Sequence, residues 1–151
     1  YTLRCDAYDL RIMQSGQRAA RAWLNSYRER SQERVHLENK EISFAGTLTI
    51  YVEMTDRGIA FEPINVMKSD ATKFTVDPQT RKIIAPFAAI DSLGAAQAQK
   101  IVEERQRKPF ESVEDFETRC HVSATISASL RALGAYEGLP ESAQMTLAEF
   151  L

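Results

Sequence analysis

The residues best suited to chemistry in this chain are neither acids, bases nor nucleophiles. They are Ser92, Leu93, Gly94, Ala95 and Ala96, in the stretch Ile90-Asp91-Ser92-Leu93-Gly94-Ala95-Ala96-Gln97-Ala98. A short apolar run, Pro86 to Ile90, precedes a helical pattern from Ala95 to Arg107. Gly94 stands at the corner between them, where a φ > 0 backbone is expected. Small Ala95, Ala96 and Ala98 leave the first turn of the second helix open to close approach. The free N–H groups of a helix start carry partial positive charge and suit a phosphate oxygen. The chemistry expected is therefore anion binding by backbone amides, around Leu93 to Ala96.

Other chemistries find less support. Cys120-His121 has no second Cys or His at zinc spacing, and His36 is remote, so a structural role is expected for both. Asp6 and Asp9 near the start are expected to be solvated or capping. The cysteines, Cys5 and Cys120, are far apart and fit a reducing compartment better than a disulfide framework. No apolar run is long enough to span a membrane, and no signal peptide is visible. A cytoplasmic location and no membrane partner are expected. The net charge is -2, so any polyanion must be held by a local patch. Lys100, Arg105, Arg107 and Lys108 form such a cluster along and beyond the Ala95–Arg107 helix, diluted by Glu103 and Glu104.

Two helices joined by so short a corner make a helix-hairpin-helix candidate. The usual corner reads apolar-x-Gly-apolar-Gly, with Ala four residues beyond. Here Ala98 keeps the Ala position and Ser92 replaces the first Gly. An ordinary packing corner with a capping Gly is the rival reading. A second, weaker unit follows. Ser112 is expected to cap a helix with Asp115 at the capping-box position and Val113 and Phe116 inward. After Cys120-His121-Val122, Ser123 caps a helix from Thr125 to Leu133, stopped by Gly134. Ser123, Ala124 and Thr125 then repeat the placement of the first corner. Paired units of this kind can grip two phosphate backbones without reading bases; alone, the second unit reads as a packing unit and not as a DNA contact.

The elements that must hold these corners begin at Tyr1, where an extended segment to Leu10 is expected. A helix is predicted from Ile12 to about Glu38, with Ala19, Ala20, Trp23, Leu24 and Tyr27 as its apolar stripe. Its arginines, Arg18, Arg21, Arg28, Arg30 and Arg34, read as a solvated charged face. Phe44 to Arg57 is a second helix, stopped at Gly58. Strand-like alternation runs from Ile59 to Val76. Asp77-Pro78-Gln79-Thr80 turns the chain, so Lys73 to Ala85 reads as a hairpin. The last residues, Gln144-Met145-Thr146-Leu147-Ala148-Glu149-Phe150-Leu151, space Gln, Leu and an aromatic as a short docking peptide would.

Taken in order, these stretches resemble the C-terminal region of the PolC-type DNA polymerase III alpha subunit family. The likeness rests on Tyr8-Asp9-Leu10, Asp56-Arg57-Gly58-Ile59-Ala60-Phe61, Ser69-Asp70-Ala71-Thr72-Lys73-Phe74, Pro86-Phe87-Ala88-Ala89-Ile90, Ile101-Val102-Glu103-Glu104-Arg105, Ser112-Val113-Glu114-Asp115-Phe116 and Gly138-Leu139-Pro140-Glu141. The chain, which opens at Tyr1 rather than Met, is expected to be a piece of something larger.

The resemblance implies an α+β, mostly helical fold. Residues 1–85 would end a fingers-like region with a small sheet. Residues 86–137 would form a tandem helix-hairpin-helix module on duplex DNA, and 138–151 a tail with a clamp-binding peptide. It implies a replicative DNA-directed DNA polymerase as the parent, with this region holding primer–template and docking the beta sliding clamp. The clamp contacts would be Gln144, Leu147, Phe150 and Leu151, although the aromatic is displaced from the family's Gln-Leu-Ser-Leu-Phe spacing. Ala124 stands where the family often has Lys. No catalytic residue and no cofactor is expected here, beyond a candidate monovalent cation at the hairpin. Magnesium would belong to the parent's catalytic domain. The rival functions are a stand-alone helix-hairpin-helix DNA-repair module and a protein-interaction domain that binds no DNA.

Overall fold

A computed structural model of the chain describes residues 7–90 and 92–143. The first two helices, α1 (Ala7–Gln14) and α2 (Gln17–Gln32), are separated by a turn at Gly16. Gly16 has φ 94, a backbone that side chains rarely adopt, so the chain turns there at little conformational cost. The extended segment expected up to Leu10 is therefore helical from Ala7. Leu10 and Met13, three residues apart, are both buried, and that spacing suits a helix and not a strand. Residues 1–6, with Cys5 and Asp6, lie outside the described residues. The single helix expected from Ile12 to Glu38 is likewise interrupted at Gly16, and it ends at Gln32. Arg34, at φ 56, has already left the helical region.

On α2 the expected stripe is present. Ala20 and Leu24 are buried. Trp23 stacks on Tyr27 at 5.6 Å and meets Phe44 edge-on at 5.0 Å. Phe44 belongs to α3 (Asn39–Asp56), which starts five residues before the apolar pattern does. The reason is a capping box: Glu38 and Glu41 each accept from the other's backbone N–H, so helix forms ahead of the first buried residue. Gly58, at φ 85, ends α3 as its position predicts, with Ile59 N–H donating to Met54 O at 3.1 Å.

Three two-residue strands follow: β1 (Phe61–Glu62), β2 (Thr75–Val76) and β3 (Ile83–Ile84). Their order is β1-β3-β2, with β1 parallel and β2 antiparallel to β3. The β2–β3 pair is the hairpin expected between Lys73 and Ala85. Its turn is held by Asp77, whose carboxylate accepts from Gln79 N–H at 2.8 Å. The chain then makes a 3-10 turn (Phe87–Ala89), α4 (Ala95–Arg107), α5 (Val113–Cys120) and α6 (Ala124–Ala132).

Two apolar clusters hold these elements. The smaller lies between α1, α2 and α3. The larger gathers Ile64, Val66, Phe87, Ile90, Ile101, Phe116 and Leu130 among others, so residues from either side of position 85 share it. Phe116 sits at its centre with no exposed surface, 5.1 Å from Phe110 and 5.6 Å from Tyr136, both edge-on. Each such side chain contributes about 1.5–3 kcal/mol by leaving water. The fold is mostly helical α+β, as expected.

Candidate nucleic-acid interface

The first corner forms because its apolar residues are anchored on both sides. Ile90 and Leu93 are buried in the larger cluster, and Leu93 N–H donates to Ile90 O at 3.0 Å. The arm before the corner is shorter than a helix, being only the Phe87–Ala89 turn. Beyond it Gly94 is the N-cap of α4, with φ -65 and ψ 154. Two expectations need correction here. Gly94 does not take positive φ, because a helix N-cap uses extended backbone that any residue can adopt. The Leu93 amide is not available to a ligand, because Ile90 O already accepts it.

What remains open is the start of α4 itself. Ala98 N–H donates to Gly94 O at 2.9 Å as the helix's first bond. The amides of Ala95, Ala96 and Gln97 precede that bond and have no acceptor within the helix. No side chain caps this end. Ser92, Gly94, Ala95 and Ala96 are all exposed. A Cβ placed on Gly94 would meet nothing within 4 Å, so the space in front of the amides is clear.

The second corner differs in its cap. His121, at φ 51 and ψ 44, ends α5 in the left-handed region. Ser123 Oγ accepts from Ile126 N–H at 3.2 Å, as its type predicts. Ala124 and Thr125 have amides that precede the first bond of α6, Ser127 N–H to Ser123 O at 2.9 Å. Ser123, Ala124 and Thr125 are exposed. The two corners are tied together by Gln97 of α4, whose Nε2 donates to Cys120 O at 3.2 Å and His121 O at 3.3 Å. That link leaves no mark in the local sequence pattern.

The α5 start is close to the predicted capping box. Ser112 Oγ accepts from Asp115 N–H at 3.0 Å, but the Asp115 carboxylate turns to Glu111 N–H at 3.1 Å instead of Ser112.

The basic cluster is divided by the structure. Arg105 is half-buried and donates through Nη1 to Val66 O at 3.0 Å and Ser69 O at 2.8 Å. Burial pushes its pKa down, and nearby Asp70 opposes that. Arg105 thus anchors the 66–69 loop on α4, which corrects its expected place in a solvent-facing patch: its guanidinium is committed to main-chain carbonyls. Arg107 is 76 % exposed and pairs with Glu104 at 2.9 Å. Lys108 pairs with Glu111 at 2.8 Å, and that carboxylate raises its pKa. Lys100 is half-buried and has no ion pair among the described residues.

Two cations escape a reading of the sequence. Arg119, expected nowhere, donates to Glu104 O and to Lys108 O at 2.8 Å, meets Asp115 at 3.1 Å and lies 4.7 Å over the Phe110 ring. Its spacing of four from Asp115 was the available signal. Arg11 of α1 lines an open groove of about 550 Å³ with Ala124, Thr125, Ala128, Ser129 and Ala132 of α6. No periodicity could have placed Arg11 there, because 113 residues separate it from Ala124.

Cys120 is buried, and burial, followed by the Glu104 charge, pushes its thiol up to about 11. Among the described residues no group of three His, Cys, Asp or Glu could hold a metal, and no helix is long and apolar enough to cross a membrane. The α2 arginines are partly paired: Arg21 takes Asp56 at 2.8 Å, and Arg30 takes Glu41. Gln144, Leu147, Phe150 and Leu151 lie outside the described residues.

Comparison with known proteins agrees with this geometry. A family model described as helix-hairpin-helix motif matches residues 58–145. The chain is 31% identical over 150 residues to DNA polymerase III PolC-type of Ureaplasma parvum, covering 97% of the chain and 10% of that protein. The protein of the same name from Halalkalibacterium halodurans is 35% identical over 147 residues, and that from Thermotoga petrophila 33%, each with the same shares covered. The chain spans about a tenth of the length of the relatives it matches. The family match covers more than half the chain and takes in both corners, and on that footing the chain belongs to the helix-hairpin-helix motif family.

Proposed function

We propose that this chain is the duplex-DNA-binding region of a replicative bacterial DNA polymerase of the PolC type. One observation carries the reading: two exposed helix starts, at Gly94–Ala96 and Ser123–Thr125, sit in a chain whose relatives are named DNA polymerase III. Amides at both starts hold phosphate oxygens of primer–template, and the grip is independent of base sequence. Ser92 and Lys100 flank the first contact. Arg107 and Lys108 extend it in exchange for their present carboxylate partners. The module assigned to 86–137 rests on the β-strands before it through the shared core. A monovalent cation at the hairpin is part of this reading. Nucleotide addition and its magnesium belong to a catalytic domain elsewhere in the longer polymerase. The tail, through Gln144, Leu147, Phe150 and Leu151, docks the beta sliding clamp.

Titration of the chain with labelled primer–template duplex, at several salt concentrations, tests the first part. Binding should weaken linearly in log K against log salt and should not depend on base sequence. Absence of duplex binding at low salt would overturn it and favour a protein-interaction domain. The clamp part is tested separately by titrating a peptide of residues 144–151 against a bacterial beta clamp. Binding of roughly micromolar strength is expected, since ordering the peptide offsets part of the apolar gain.

A further inference from the structure

Helix α3 is apolar on two opposite sides. Phe44, Ala45, Leu48, Tyr51 and Val52 face the smaller cluster. Ile42, Gly46, Ile50 and Met54 recur at steps of four, which keeps them along the other side. Ile42 is 49% exposed and Ile50 46%. At its end this stripe opens into a pocket of about 390 Å³, lined by Met13, Ile50, Met54, Phe61, Phe74 and Ile83. The hydroxyl of Thr47, at the same rim, already donates to Ser43 O. The exposed Glu53, paired with Arg57, borders this stripe, and an apolar stripe along a helix is normally covered.

We infer that this outer face of α3 seats an apolar helix from another part of the same, longer polypeptide. Gly46 sets the crossing point, since it has no side chain and nothing lies within 4 Å of where its Cβ would be. A ridge of the incoming helix can lie there between Ile42 and Ile50 and send one apolar side chain into the pocket. The stripe from residue 42 to 54 is about 18 Å long at 1.5 Å per residue, or roughly three turns. Two observations favour a tethered occupant over a second copy or a separate protein. The relatives match over nearly all of this chain, yet nine-tenths of each lies outside the match. The exposed apolar surface is also narrow, with Ile42 and Ile50 each less than half exposed, where separate proteins bury roughly 800 Å² apiece. A segment joined to this chain needs less area, because its effective concentration is high.

The test is thiol labelling at Ile50→Cys in the folded 151-residue chain and in the longer polypeptide encoded with it. Cys5→Ser is made in both, Cys120 is left because it is buried, and Asn25→Cys on the exposed side of α2 is the control. Residue 50 should react at least about tenfold more slowly in the longer polypeptide, while residue 25 reacts equally in both. Equal rates at residue 50 would overturn the inference. So would slow labelling in the short chain: if it depends on concentration the occupant is a second copy, and if not, the chain covers this face itself. A reading frame that adds no further chain would overturn it as well.

Discussion

At Gly94 the absent side chain matters for access and not for backbone conformation. Its φ of -65 suits any residue. Gly94→Ala should therefore change thermal stability little, since the gain of about 0.4–1 kcal/mol from a less free unfolded chain is offset by the poorer fit of alanine at a helix N-cap. Duplex affinity should fall all the same, because the added methyl stands before the amides of Ala95 and Ala96. Melting and anisotropy measured on the same preparation check both halves. A mutant that binds as well as the parent removes this corner from the interface.

Arg105 and Lys100 should separate just as cleanly. Arg105→Gln leaves the carbonyls of Val66 and Ser69 without their shared donor, and should destabilise by about 1–3 kcal/mol. The salt dependence of duplex binding should not change. Lys100→Gln should do the reverse, with stability kept and the slope of log K against log salt reduced by about one unit. Urea melts and salt titrations of the two variants decide it.

At the scale of elements, the caps and the hairpin turn carry the predictions. Ser123 and Ser112 each hold the third amide of a short helix, nine and eight residues long. Helices of that length are marginal without help. Ser123→Ala should cost about 1 kcal/mol and loosen the second corner, seen as faster amide exchange at Ile126 and Ser127.

The β2–β3 turn is pH-sensitive through Asp77. Lys68 Nζ, at 2.9 Å, and the amides of Gln79 and Thr80 hold its carboxyl down to about 2. A folded-state pKa below the unfolded one gives stability that is complete above about pH 4 and lost as pH falls toward 2. Asp77→Asn should flatten that acid limb of the stability curve, as read by circular dichroism from pH 5 to 2. An unchanged limb would place the acid sensitivity elsewhere.

On the scale of the whole molecule, one core supports both corners. Phe116 of α5 touches Phe110 and Tyr136, and its cluster also holds Ile90 and Leu93 of the first corner and Leu130 of α6. Phe116→Ala should cost about 3–5 kcal/mol. It should weaken both phosphate sites together, whereas Gly94→Ala and Ser123→Ala each act on one. Exchange protection at both corners, followed in the same variant, distinguishes shared from separate support.

Much of this was written in local sequence. The span of α4, the stops at Gly58 and Gly134, the caps Ser112 and Ser123 and the 77–80 turn were all legible, because each depends on the backbone preferences of a few adjacent residues. Order along the chain was enough for the likeness to PolC-type polymerases. Tertiary structure decided what depends on distant partners. The chain from Ala7 is helical because Leu10 and Met13 each have a core to enter. Arg105 faces inward because the 66–69 loop presents two carbonyls to it, and its neighbour Arg107 does not. Gln97 reaches His121 and Arg11 reaches α6 only because packing brings those segments together. A pattern in sequence can say which residue is able to bind a phosphate. Whether its donors are already taken is settled by what folds against it.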